Sequence, residues 1–153
     1  DENLHSILLA ADHADACEAP PNFDWRGEME KCELKPVVEA ITARTFEVDE
    51  HVQDASFFTE LASFVDARQS PSGGIVRHVV LAIRFSAFGR MFTIWHSRPE
   101  EFAVDSALVQ RVISAVQNAG YTYADAAELQ SPYDGPNRHL AGVSWWERYF
   151  DYL

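Results

Sequence analysis

Apolar residues recur at helical spacing in three parts of the chain. From Asn3 to Cys17, Leu4, Ile7, Leu8 and Ala11 share one side of a helix, with Asp1 or Asn3 as its cap. Pro20 and Pro21 end it, because proline restricts the residue before it and offers no backbone N–H. Asn22 to Glu30 reads as an irregular acidic connection anchored by Phe23 and Trp25. Glu33 to Arg44 is a second helix, with Pro36 in its first turn and Val37, Val38, Ala40 and Ile41 as its apolar stripe. Asp105 opens the third, whose Leu108, Val109, Val112, Ile113 and Val116 repeat over two turns. Asn118 closes the last turn, and Gly120 stands where a left-handed residue is wanted.

Between these helices the period changes from 3.6 to 2. Ile75 to Phe85 alternates, with Val79, Leu81, Ile83 and Phe85 on one face and His78, Val80, Ala82 and Arg84 on the other. Ser86 to Arg90 turns around Gly89, and Met91 to His96 returns antiparallel. Thr45 to Asp66 admits two readings. Phe57, Phe58, Leu61, Phe64 and Val65 suit a helix capped by Asp54, or a buried strand joined through a hairpin loop over Arg68 to Gly74. We favour the strand. Tyr121 to Ala124 reads as a short strand, and Ser131 to Gly142 as loop. Ser144 to Leu153 is aromatic and β-prone, and either adds a strand to the sheet or lies across it. The expected fold is a single α+β domain over residues 1–153: an antiparallel meander packed against helices, with the 105–118 helix covering one sheet face.

Composition adds the bounds. A chain of 153 residues with 47% hydrophobic content can bury one core. No apolar run reaches membrane-spanning length, and Leu4 to Ala11 lacks the basic flank of a signal peptide. Two cysteines, Cys17 and Cys32, fit a reducing, cytoplasmic setting, although a bridge between them stays open.

Charge is unevenly spread. Residues 1–50 hold thirteen acids against four bases, a local net of −9 within a total of −12. Such a surface repels nucleic acid and anionic lipid and attracts basic partners. Arg77, Arg84, Arg90 and Arg98 are therefore read as balancing local acids, not as a nucleic-acid stripe.

No motif names a reaction. Asp12, His13, Asp15, Cys17 and Glu18 are metal-capable, but their spacing scatters them around a helix, so they read as a solvated acidic face. His51 has Glu50 and Asp54 as neighbours, yet no serine or cysteine sits in a nucleophile signature. Gly73, Gly74 and Gly89 form no phosphate-binding pattern. The expectation is no catalytic residue, no metal and no cofactor. Trp145, Trp146, Tyr149, Phe150 and Tyr152 serve either as core or as interface anchors.

Three segments carry a family likeness: HVQDASFF (51–58), IRFSAFGRMFTIW (83–95) and SWWERYFDYL (144–153). Together they resemble small bacterial immunity proteins encoded beside polymorphic toxins in contact-dependent and related interbacterial competition. The likeness covers about the last hundred residues and holds no active site to carry over. It implies a non-enzymatic inhibitor that binds a cognate toxin. With the acidic charge, the expected partner is a basic, nuclease-like protein, and the expected contacts are Glu39, Glu47, Asp49, Glu50, Asp54, Trp145 and Trp146. Two rivals stand beside this reading. One is a small enzyme or ligand-binding domain, with an aromatic-lined pocket between the meander and the 105–118 helix and with His51, His78 or His96 near a carboxylate. The other is an adaptor domain that uses its aromatic tail as the contact.

Overall fold

The computed structural model describes residues 3–12, 33–49, 58–68, 75–96 and 104–150. They form an α+β arrangement of helices around one five-stranded sheet. The helices are α1 (Leu4–Ala11), α2 (Leu34–Thr42), α3 (Ser106–Asn118) and α4 (Trp145–Phe150). The strands are β1 (Glu47–Asp49), β2 (Phe58–Arg68), β3 (Ile75–Ser86), β4 (Met91–His96) and β5 (Thr122–Tyr123), and they lie in sequence order. β1 to β4 pair antiparallel, as the alternating pattern requires. β5 is the exception, running parallel to β4, and it can do so because α3 supplies the crossover between them.

Local chemistry explains the element ends. Asn3 caps α1 by accepting from the His5 N–H, and Asp105 caps α3 by accepting from the Leu108 N–H. Gly120, at φ 97°, closes α3: its N–H donates to Gln117, and the Tyr121 N–H donates to Val116. This pair of bonds is the Schellman arrangement, and the left-handed backbone it needs favours glycine. Residues 45–66 hold no helix among those described. Phe58 starts an eleven-residue strand, so the helical reading of this stretch is overturned there. The proposed Asp54 cap and the loop at 69–74 lie outside the described residues.

Two expectations need correction. The first is the alternation of β3. Ser63 pairs with Leu81 and Phe64 with Val79, so Val80 is an extra residue on β3. Such a bulge resets the alternation. Val80 therefore joins Leu81, Ile83 and Phe85 in the core under the helices, while Val79 lines a groove with Ala82 and Arg84. The second is the aromatic tail: of its two readings the added strand is overturned, since Trp145–Phe150 is a helix packed on the sheet. Its start is a capping box. Glu147 Oε2 accepts from Ser144 N–H at 2.6 Å, and Ser144 Oγ accepts from Glu147 N–H at 3.2 Å. The Ser144 N–H and the Ser144 hydroxyl, both donating to Glu147 Oε2, hold that carboxyl below its usual range.

The sheet carries a core on each face. On one, Leu34 and Val38 of α2 and Val109, Val112, Ile113 and Val116 of α3 meet Leu61, Leu81, Ile83, Phe85 and Phe92. On the other face, Leu8 of α1 and Trp145, Tyr149 and Phe150 of α4 enclose Ala87, Phe88 and Met91 at the β3–β4 turn. Met91 and Phe92, adjacent in sequence, belong to opposite cores, as a strand's period of two dictates.

α1 and α4 are tied by charge as well as packing. Arg148 Nε and Nη2 donate to Asp12 Oδ1 at 2.8 and 2.7 Å, and both side chains are fully excluded from solvent. Tyr133 donates its hydroxyl to Asp12 Oδ2 and accepts from the Asn137 N–H. The Arg148 guanidinium lies 4.4 Å from the Phe88 ring centre. Asp12 is thus a buried partner and not part of a solvated acidic face. Its expected companions His13, Asp15, Cys17 and Glu18 lie outside the described residues.

Candidate functional site

The α4 helix covers only part of its sheet face. Beside it a groove of about 270 Å³ opens between Trp146 of α4 and Trp95 of β4. Val79 and Ala82 line it, together with Glu60 and Arg84. The register places these residues on one face. Ala62, Ala82 and Trp95 lie side by side across β2, β3 and β4, and Glu47 continues that row on β1. The next row runs through Asp49, Glu60, Arg84 and Thr93. Trp95 is 51% exposed, the largest exposed apolar side chain among the described residues. A sheet position that places a tryptophan in water loses the burial that normally offsets its ordering, so this residue marks the face for attention.

Arg84 organises the groove's inner end. Its Nε donates to Glu60 Oε1 at 2.5 Å, and its Nη1 donates to the Phe150 carbonyl at 2.6 Å, clamping the last turn of α4 to the sheet. The guanidinium stacks 4.0 Å from the Phe58 ring centre and 5.5 Å from that of Trp146. Only Oε1 of Glu60 is engaged; Oε2 has no hydrogen-bond partner among the described residues. Further along the face, Arg77 pairs with Glu47 at 2.7 Å and lies over the Phe64 ring. Arg77 and Arg84 therefore balance local acids, as composition suggested. Arg90 instead donates to the Gly120 and Ala119 carbonyls, and Arg98 is outside the described residues.

The expected contact residues separate in space. Glu47 is exposed on β1 and shares the groove's sheet face. Asp49 ends the same strand, opposite Glu60 in the register. Trp146 is half-buried and lines the groove. Trp145 is fully buried, stacked on Tyr149, and offers no surface to a partner. The helix explains this split, because consecutive residues point about 100° apart. Glu39 is partly buried on α2 and accepts from the Phe46 N–H, so it braces the chain entering β1. Glu50 and Asp54 lie outside the described residues. Trp95, Glu60 and Val79 are not among the expected contacts. Trp95 was legible as an aromatic on an alternating strand, but which face stayed open was not.

A second cleft, about 180 Å³, lies between α1 and the 128–131 turn, lined by His5, Glu128, Ser131 and Trp145 among others. Ser131 donates its hydroxyl to the Glu128 carbonyl, while His5 faces Asp134 at 3.4 Å. Serine and histidine thus serve separate local contacts. No group of three or more metal-capable side chains occurs among the described residues. His78 and His96 are exposed on β3 and β4, and His51 is outside the described residues. No described helix is long and apolar enough to cross a membrane. No protein family, curated protein or solved structure matches this chain.

Proposed function

We propose that this chain is an immunity protein that binds and neutralises a cognate toxin, without chemistry of its own. The observation that supports the binding role is the open sheet face, where exposed Trp95 and half-buried Trp146 flank a groove beside paired charges. Tryptophan and arginine are the side chains that most often anchor protein interfaces. Glu47 and Asp49 continue the rows of that face onto β1. A net charge of −12 steers a basic partner, such as a nuclease with a cationic cleft, towards this surface.

Co-purification from the source cell identifies the partner. Association rates measured at low and high salt then test the steering. The expected partner is basic, and its on-rate falls as ionic strength rises. Reversing Asp49, Glu50 and Asp54 to Lys should slow association more than it speeds dissociation. Capture of an acidic partner, or an on-rate indifferent to both salt and the triple reversal, would reject the proposal. So would turnover of an ester, phosphate or nucleic-acid substrate that is lost in His51, His78 or His96→Ala.

A further inference from the structure

We infer that the Trp95–Trp146 groove receives an arginine side chain of the partner, an inference that rests on the toxin-binding reading and names its contact chemistry. The groove combines three properties that select a guanidinium. Its walls are the exposed Trp95 indole, on whose face a planar cation gains from stacking, and the half-buried Trp146, whose ring already stacks on Phe150 and lies 5.5 Å from the Arg84 guanidinium. Its floor includes Val79 and Ala82, which suit the aliphatic stem of a long side chain. Its inner end includes Glu60, a side chain only 16% exposed, whose Oε1 is held by Arg84 while Oε2 has no hydrogen-bond partner among the described residues. An incoming guanidinium would give this half-buried carboxylate a second charge-assisted bond where water is partly excluded.

Charge selects the same occupant. Arg84 is committed to Glu60 and to the Phe150 carbonyl, so its positive charge is already matched. The row containing it holds two acidic positions, Asp49 and Glu60, to one arginine. An anionic side chain entering here would face that excess and the field of a strongly acidic chain. A neutral aromatic side chain could stack on the Trp95 indole but would bring no donor to Glu60 Oε2. The volume, about 270 Å³, has room for one side chain and not for a folded element.

The test needs no toxin. The ¹⁵N-labelled protein is titrated with Nα-acetyl-arginine N-methylamide while the indole N–H resonances are followed, with Trp95→Phe assigning that signal. Uncharged Nα-acetyl-citrulline N-methylamide, of nearly the same shape, is the comparator, and Nα-acetyl-aspartate N-methylamide is the anionic control. The expected result is a saturable shift at Trp95 and Trp146 with the arginine derivative, weaker by about tenfold or more with citrulline and absent with aspartate. Glu60→Gln, which keeps an acceptor for Arg84, should lower the arginine response to that of citrulline. Trp95→Ala should abolish the response at Trp146, with far-UV circular dichroism confirming the fold. Equal responses to arginine and citrulline, or none to arginine, would overturn the assignment. If the arginine derivative fails while a basic toxin is still captured, the groove assignment falls and the immunity reading stands. If it binds and no toxin is captured, the reverse holds.

Discussion

Asp12→Ala probes the contact between α1 and α4 most directly. The Asp12–Arg148 pair joins positions 136 residues apart, and neither side chain reaches solvent. Arg148 spends two donors on Oδ1, and Tyr133 spends its hydroxyl on Oδ2. Removing the carboxylate takes from a buried guanidinium its two bonds to Oδ1 and from the Tyr133 phenol its acceptor. Breaking a buried pair from one side costs about 3–5 kcal/mol. Cation–π contact with Phe88, at 4.4 Å, exists before and after the change and so cannot offset that loss. Arg148→Met should cost a similar amount, because it takes the paired cation and both of its donors from a buried carboxylate. The double change Asp12→Leu with Arg148→Met removes both charges together and should recover most of the loss, since well-packed apolar replacements of buried pairs are often near neutral. Urea unfolding followed by tryptophan fluorescence, with Asp12→Leu measured as the matching single variant, gives all four corners of the cycle, provided the slopes agree. A cost under about 1 kcal/mol for Asp12→Ala, or a double variant as unstable as the sum of the singles, would refute the buried-pair account.

The remaining expectations concern neighbouring features. Tyr133 is raised from its ordinary 10.0 to about 12, first by burial and then by its bond to Asp12. Its folded state therefore holds the proton, so stability is full below about pH 10 and declines as pH rises through about 12. Tyr133→Phe should remove that alkaline decline and cost about 1.5–3 kcal/mol at neutral pH, because Asp12 loses a donor; an unchanged alkaline slope in urea titrations would contradict it. Val112→Asp places an unpaired charge in the filled α3–sheet core and should cost about 3–5 kcal/mol by denaturant titration. Trp145→Ala should cost about 3–5 kcal/mol through its cavity, while Trp95→Ala should change stability by no more than about 1 kcal/mol. Comparable losses at the two tryptophans would contradict the burial assignment. Gly120→Ala forces a Cβ into left-handed backbone and should lower stability by about 1–2 kcal/mol, read from the thermal midpoint.

Sequence alone determined the elements whose signals are local. The α3 stripe, its Asp105 cap and its Gly120 stop are complete within fifteen or so residues, and the structure repeats them. The β3–β4 hairpin was equally legible, because alternation on either side of Gly89 admits few other pairings. The capping box at Ser144 and Glu147 was also present in the sequence. It was outweighed by β-propensity, which is the weaker guide because it reports packing context more than backbone preference.

Tertiary structure decided what depended on distant partners. The bulge at Val80 leaves no mark in the sequence of β3; it appears only when β2 is laid beside it, and it sends Val79 to the groove and Val80 to the core. Asp12 looked like one acid among many, since solvation and burial of a carboxylate differ only in whether a cation such as Arg148 comes to meet it. Likewise Trp145 and Trp146 are indistinguishable by type or neighbourhood, and only the seating of α4 made one core and the other groove wall. The net charge was fixed by composition. Where that charge meets an exposed indole was fixed by the strand order β1 to β4, which brings Glu47, Asp49 and Glu60 onto the face of Trp95 from segments far apart in the chain.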